Sequence, residues 1–428
     1  MNSLPRFLSF SCLILLLSHV STLRADDWPQ WRGPDRDGVW HEAGIMETFP
    51  AERIKPRWTA SVGIGFSSPV IADGRVFVTD TVHGKPPHAD ERVHAFDAKT
   101  GEPLWTHTYA VEYRESFFSE AFRTGPISTP VVNDGRVYTS GASGVVVCLD
   151  AVKGDVLWQR NLQQDFPESE VIGSTSLLIE GDLVILMPCA KPNATVLALD
   201  KQTGKTVWTA LEEAETASSA IAITDGGVRQ IIVWTSESVT SLEPATGKTL
   251  WAERLFTTKD ATVSTPVYRD GQLLIGGLMM QMKQEPPSAV TLWPKSRATA
   301  RRVFSDTSTA AFRGDYVYSA RSFGEFICVD AKTGEVKWET DKVTTQLSGA
   351  SVHITTHGET DLLYNNDGEL IRARLAPDGY HELSRTKILD PGVTYSGRKV
   401  AWSAPAFAHR CIYARTNTQL VCISLAVE

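Results

Sequence analysis

The sequence predicts an all-β protein: an eight-bladed β-propeller of four-stranded antiparallel blades, its ring closed by pairing of the N- and C-terminal strands. Three observations carry that expectation. One phrase recurs five times, a second marks eight starts, and each end of the chain holds half of a hairpin. Self-similarity at a fixed period of a few tens of residues is the signature of a repeat architecture.

The first phrase runs Phe96-Asp97-Ala98-Lys99-Thr100-Gly101 and ends on Trp105. It returns from Leu149-Asp150 through Gly154 to Trp158, and from Leu199-Asp200 through Gly204 to Trp208. Two further copies run from Leu242-Glu243 through Gly247 to Trp251, and from Val329-Asp330 through Gly334 to Trp338. The interval from Trp251 to Trp338 is about twice the others. One copy between them is therefore expected to have lost its tryptophan, with Phe304 as the stand-in. In each turn the acidic residue caps backbone amides and glycine supplies the left-handed position.

The second phrase is a small pair, mostly hydroxylic, before an apolar strand. It stands at Ser68-Pro69, Thr129-Pro130, Thr175-Ser176, Ser219-Ala220, Thr265-Pro266, Ser308-Thr309, Ala350-Ser351 and Ala404-Pro405. In the first unit Val70-Ile71 form strand A, Asp73-Gly74 turns into strand B, strand C ends at Asp97 and strand D ends on Trp105. Asp-Gly is a strong hairpin signal because such turns demand positive φ. One unit has too small a core to stand alone, so units stack, with a tryptophan sealing each joint. Lys55-Pro56-Arg57-Trp58 is a lone strand-D phrase and Leu420-Val421-Cys422-Ile423-Ser424 a lone strand-C phrase. Paired, they complete the eighth blade and leave only short, protected edges.

Domain organisation follows. Residues 1–25 read as a signal peptide, with Arg6 before the apolar run Phe7 to Leu17 and cleavage near Ala25. Residues 26–54 form an N-terminal extension and 55–428 the propeller. No other run has the length of a transmembrane helix, so a periplasmic or secreted protein with no transmembrane segment after cleavage is expected. The net charge of -8 offers no basic footprint for nucleic acid. Beyond Cys12 in the leader there are five cysteines, an odd number that leaves at least one unpaired. Cys148, Cys328 and Cys422 sit in apolar strands and read as small core residues. His83, His88, His94 and His107 fall on different elements and read as scattered, while Met279, Met280 and Met282 read as apolar filler. No spacing suggests a metal site. Gly204-Lys205-Thr206 and Gly247-Lys248-Thr249 are repeat turns, because a phosphate loop needs glycine where Leu199 and Leu242 stand.

The phrase Ala-x-Asp-x-x-Thr-Gly-x-x-x-Trp resembles the tryptophan-docking repeat of PQQ-type propellers, across essentially all of residues 55–425. The opening Asp27-Trp28-Pro29-Gln30-Trp31-Arg32-Gly33-Pro34 resembles the start of secreted bacterial proteins with this fold. The resemblance implies one of two activities. Quinoprotein dehydrogenases hold pyrroloquinoline quinone (PQQ) and calcium at the propeller centre. The lipoprotein of the outer-membrane β-barrel assembly machinery (BamB-like) is a non-catalytic docking protein. Quinoprotein alcohol dehydrogenases characteristically carry an adjacent Cys-Cys pair, which is absent here. The expectation is thus a non-catalytic scaffold with no cofactor, binding a protein or other envelope ligand. The alternative is a PQQ- and calcium-dependent oxidoreductase acting on alcohols or sugars.

In an antiparallel meander the A–B and C–D turns leave one end of each blade, and the B–C and D–A connections leave the other. The first set is short and glycine-punctuated. The expected insertions fall in the second: 81–92 and 278–291 between B and C, and 106–127, 159–173 and 384–402 between blades. Binding residues concentrate on loops held by a rigid scaffold, so the long-loop face is the candidate site. Its richest stretch holds Tyr109, Tyr113 and Phe117 four apart, with Arg114, Phe118, Phe122 and Arg123. That spacing predicts a short amphipathic helix over the channel mouth. These seven are the candidate partner-binding residues; none is expected to be catalytic or to bind metal or cofactor.

Overall fold

Eight four-stranded antiparallel sheets, each in the order A-B-C-D, make up the ring. The computed structural model describes residues 27–427 apart from 120–123, 170–172, 215, 256–262, 295–303, 306 and 396. The expected leader therefore lies outside the described residues. Blades 1 to 7 are consecutive, from Val70–Ala72 as strand A of blade 1 to Gly379–Lys387 as strand D of blade 7. Blade 8 takes strands A to C from Ala406–Ala408, Cys411–Arg415 and Gln419–Ser424, and its strand D from Trp58–Ser61. Trp58 lies opposite Cys422 and Ser61 opposite Gln419, so the two half-hairpins close the ring as predicted. Among the described residues no helix is long and apolar enough to cross a membrane.

All eight small pairs precede an A strand, and their chemistry has a common use. The Ser68 N–H donates to Thr129 Oγ1 (3.3 Å), Thr129 N–H to Ser176 Oγ (3.1 Å) and Ser176 N–H to Ser219 Oγ (2.9 Å). Thr265 N–H donates to Thr309 Oγ1 (3.1 Å), and Val352 N–H to Ser308 Oγ (3.2 Å). Each hydroxyl satisfies a buried amide of a neighbouring blade, where an apolar side chain would leave that amide unpaired. Such bonds thus link blades 1 to 4 and blades 5 to 7 around the axis.

The outer joints are held by tryptophan. Trp58, Trp105, Trp158 and Trp208 donate their indole N–H to the carbonyls of Ala98, Ala151, Lys201 and Pro244 in the next blade, at 3.0–3.2 Å. Trp338 does the same to Ala376 (2.7 Å). The turn glycine of the next blade lies flat on the ring. A Cβ on Gly101 would come within 2.6 Å of Trp58, and the residue has φ +75°, so both space and backbone require glycine there. Across most of these strand pairs a small residue faces the ring: Cys148 opposite Trp158, Cys328 opposite Trp338, Cys422 opposite Trp58. These three buried cysteines are free thiols in the slot that Ala95 and Ala198 fill elsewhere.

Blade 5 corrects the expectation about Phe304. Its tryptophan is Trp293, which donates to Ala331 O at 2.8 Å and lies under Gly334. Phe304 instead packs edge-on to Trp293, with centroids 6.2 Å apart. What blade 5 has lost is the turn phrase: Gln284 pairs directly with Pro287. The preceding Trp251 consequently meets no glycine and donates to Gln230 in its own blade (3.0 Å). Residues 278–291, expected as a B–C loop, are strand C (Leu278–Gln284) and most of strand D (Pro287–Trp293). Met279, Met280 and Met282 are buried in it as filler. Residues 81–92 likewise are mostly strand, in a long hairpin of Arg75–His83 and His88–Asp97. Of 384–402, the first four residues belong to strand D of blade 7, and Val393–Tyr395 pairs with Arg398–Val400 as a small hairpin.

Blade 7 has no tryptophan, and Ser384 occupies its register position opposite Arg372. The N-terminal extension supplies the wedge. Phe49, 3% exposed, places its N–H on Ser384 Oγ (2.9 Å), and Met46 O accepts from Arg372. The Met46 N–H takes the Leu425 carbonyl (2.7 Å), the counterpart in blade 8 of the carbonyls that receive indoles elsewhere.

Candidate binding site

The propeller axis is filled by the chain's own N-terminal segment. Trp28 exchanges both backbone hydrogen bonds with Ile71 of blade 1 (2.9 Å each), and Pro29 O accepts from Val132 of blade 2 (2.8 Å). The Trp31 indole donates to Thr265 of blade 5 (2.9 Å). Arg36 donates to Leu177 O (2.7 Å) and Ala220 O (3.2 Å), just before the A strands of blades 3 and 4. The segment then returns along blade 7, where Trp40 N–H meets Thr356 O (2.9 Å). Trp28 and Trp40 are buried against Phe407, with centroids 5.9 and 5.2 Å away. Buried aromatics of this size supply much of the energy that holds such a segment. Stripping water from Arg36 lowers its pKa to about 9, and burial lowers His353, beside the same segment, to about 4. Between the plug and the A strands of blades 3, 4 and 5 lies a cleft of about 480 Å³.

On the opposite face the long hairpin of blade 1 and its strand D, Pro103–Glu112, rise as a crest. Glu91 is fully buried within it, accepting from Tyr109 Oη (2.7 Å), Tyr113 Oη (2.6 Å) and Ser143 N (3.2 Å). Burial raises the pKa of Glu91, outweighing those hydrogen bonds. Asp80 below it holds Arg92 (2.7 and 2.8 Å), His94 (3.0 Å) and the amide of Gly63. Burial alone would raise the Asp80 pKa, but the bonds from His94 and Arg92 prevail and keep it low. His83 meets Thr124 O (2.9 Å) and stacks near Phe118 (4.7 Å).

The candidate residues are divided by this geometry. Tyr109 lies in strand D, not in a helix, and Tyr113 is buried beside it; both hold Glu91. Residues i and i+4 share a face in a strand as they do in a helix, which is why the spacing misled. Among the described residues the only helical piece there is one 3-10 turn, Glu115–Phe118. Arg114 lies over the Phe117 ring at 5.9 Å, and Phe117 and Phe118 are half-buried. Phe122 and Arg123 fall outside the described residues. The axial plug is not foreseen from the sequence, although Trp28, Trp31 and Trp40 with Arg32 and Arg36, all outside the repeat frame, are its signal.

A pH effect follows from Glu91. Its carboxyl loses its proton at higher pH in the fold than in the unfolded chain, where the ordinary value is 4.5. Stability contributed by this group therefore falls as pH rises from that value through the raised one. Glu91→Gln is expected to flatten the decline in melting temperature above pH 4.5. An unchanged slope would show that Glu91 does not titrate in that range.

The family model described as outer membrane protein assembly factor BamB matches residues 49–116, 89–340 and 283–379. The chain belongs to this PQQ-type propeller family. Among its relatives, BamB of Kangiella koreensis is 28% identical over 37% of this chain and 34% of that protein. The 1-butanol dehydrogenase (cytochrome c) of Thauera butanivorans is 27% identical over 42% of this chain and 24% of that protein. The matches thus span a third and a quarter of these relatives' lengths. The crystal structure of BamB from Moraxella catarrhalis is 15% identical with a TM-score of 0.59, covering 86% of this chain and 99% of that one. Quinohemoprotein alcohol dehydrogenase from Comamonas testosteroni is 12% identical with a TM-score of 0.64, covering 94% and 81%. The propeller fold is common to an assembly factor and a dehydrogenase, so the site must decide between them.

Quinoprotein members of the PQQ-type family carry quinone and calcium at the propeller centre. Here that centre holds Trp28, Trp31, Arg32 and Arg36, and among the described residues no three His, Cys, Asp or Glu converge as a metal site. Calcium takes six to eight oxygen ligands, rich in carboxylates. Tryptophans and desolvated guanidinium groups do not fit that need.

Proposed function

We propose that this member of the PQQ-type family is a non-catalytic scaffold of the cell envelope or exterior that binds a protein partner through its long-loop face. The observation that carries the reading is the plug: the chain's own residues occupy the axis, leaving the faces as the surfaces for recognition. The apolar leader and the assembly-factor relatives support an envelope location. On the long-loop face the rigid crest of blade 1 presents Arg114, Phe117 and Phe118, while Tyr109 and Tyr113 brace it from within.

The test has two arms. Purified protein mixed with PQQ and calcium is expected to show neither a bound chromophore nor dye-linked oxidation of alcohols or sugars; either one would establish the oxidoreductase instead. In the native envelope, crosslinking is expected to capture a protein partner, and the triple variant Arg114→Ser, Phe117→Ser, Phe118→Ser to lose it while still folding cooperatively. Undiminished capture by the folded variant would place recognition elsewhere.

A further inference from the structure

The 480 Å³ cleft beside the plug opens toward the tight-turn face, opposite the crest, and its size lies within the range of ligand sites. Its walls are the edges of three innermost strands: Leu178–Glu180 of blade 3, Ile221–Asp225 of blade 4 and Val267–Arg269 of blade 5. Among the described residues these three strands make no backbone hydrogen bond toward the axis. The other side of the channel shows what such edges accept. There the chain's own extended segment adds to blade 1 through an antiparallel Trp28–Ile71 bridge and to blade 7 through a parallel Val39–Thr356 bridge. The plug thus pairs with part of the wall by strand addition and leaves the edges of blades 3 to 5 unpaired.

Arg36 donates to Leu177 O and Ala220 O and keeps its charge, and Arg229 is paired with Glu180 at 2.6 and 2.8 Å. Asp35 and Asp37 are exposed on the plug side; Asp37 Oδ1 accepts the local Val39 amide (2.9 Å), and Arg32 donates to Asp37 O (2.7 Å). Among the lining side chains the carboxylates of Asp35, Asp37 and Glu180 stand against the guanidinium groups of Arg36 and Arg229, a small negative excess. Ile179, Ile223 and Tyr268 add apolar surface between the polar groups.

We infer that this cleft binds an extended peptide carrying basic side chains, which adds as a short strand to the edge of Ile221–Asp225 while its lysines or arginines meet Asp35 and Asp37. Strand addition draws affinity from main-chain hydrogen bonds and specificity from alternate side chains. The inference rests on the scaffold reading but uses the other face, so the two can fail separately.

The experiment uses the full mature chain and three probes: a fluorescein-labelled Ala-Lys-Val-Lys-Val-Lys-Ala peptide, its glutamate counterpart, and maltoheptaose as competitor. The basic peptide is expected to bind and the acidic one not. The double variant Asp35→Lys, Asp37→Lys is expected to weaken binding about tenfold or more, since like charges now face each other. Thr224→Trp, an exposed position that fills the cleft, is expected to abolish binding with melting unchanged. Amide exchange at 178–180 and 221–225 is expected to slow when the peptide is bound. Equal binding of the acidic peptide, displacement by maltoheptaose, indifference to Thr224→Trp or no slowing of exchange would each overturn the proposal. Failure of peptide binding alongside intact, crest-dependent partner capture would sink this inference and leave the scaffold reading in place.

Discussion

Removal of residues 420–428 is expected to abolish cooperative unfolding of the whole ring. Strand Gln419–Ser424 lies between Cys411–Arg415 and Trp58–Ser61, and Leu420, Cys422, Ile423 and Leu425 are fully buried. Without it Trp58–Ser61 has no partner strand, and Met46 loses the Leu425 carbonyl that anchors the wedge of blade 7. The loss therefore reaches two joints, blade 7 to 8 and blade 8 to 1, together with the wedge that seals the first. Calorimetry should replace one sharp transition by a broad one at markedly lower temperature. A truncated protein that melts like the full chain would refute closure as the source of cooperativity.

Trp158→Ala is expected to cost about 3–5 kcal/mol, the range for deleting a buried aromatic from a packed core. The ring is 8% exposed, lies 6.1 Å from Tyr138 and spans to Lys201 O in the next blade at 3.0 Å. The complementary change Gly204→Ala should destabilise from the other side of the joint. Its Cβ would stand 2.6 Å from the Trp158 ring at φ +68°. Urea unfolding of both variants measures the effect. A loss below about 1 kcal/mol for Trp158→Ala would mean that the joint collapses around the gap and that its tryptophan is dispensable.

Blade number, blade starts and ring closure were legible because they rest on chemistry that repeats. Asp97, Asp150, Asp200 and Asp330 cap their turns alike, Asp97 by accepting from Lys99 N (2.9 Å) and Thr100 N (2.8 Å). A hydroxyl precedes most A strands because a neighbouring amide needs it. The misreadings arise where position and phrase part company. Trp293 was hidden because the docking position is set by strand register: it faces Met279 at a bulge, just as Trp251 faces Ser241. A search for the turn phrase sees only the turn. The aromatic spacing of Tyr109 and Tyr113 fits two periodicities, and the long pairing from His88 opposite Glu112 to Phe96 opposite Pro103 decided for the strand. The plug and the blade 7 wedge each occur once, so no period announces them. Their partners, such as Phe49 with Ser384, lie most of the chain apart.

The seam between the two ends also has a consequence in time. The plug and Trp58–Ser61 leave the ribosome before any complete blade, yet the strand beside Trp58–Ser61 is synthesised last. Contacts of such sequence separation are the slowest to form, because the intervening chain must be ordered before they are rewarded. The first seven blades can assemble as local meanders during that wait. The nascent ring meanwhile keeps one strand edge open, a template for pairing with another copy of the same chain. Assembly is thus timed by the final few residues, and any delay in their arrival extends the period in which the protein can join to its neighbour in place of itself.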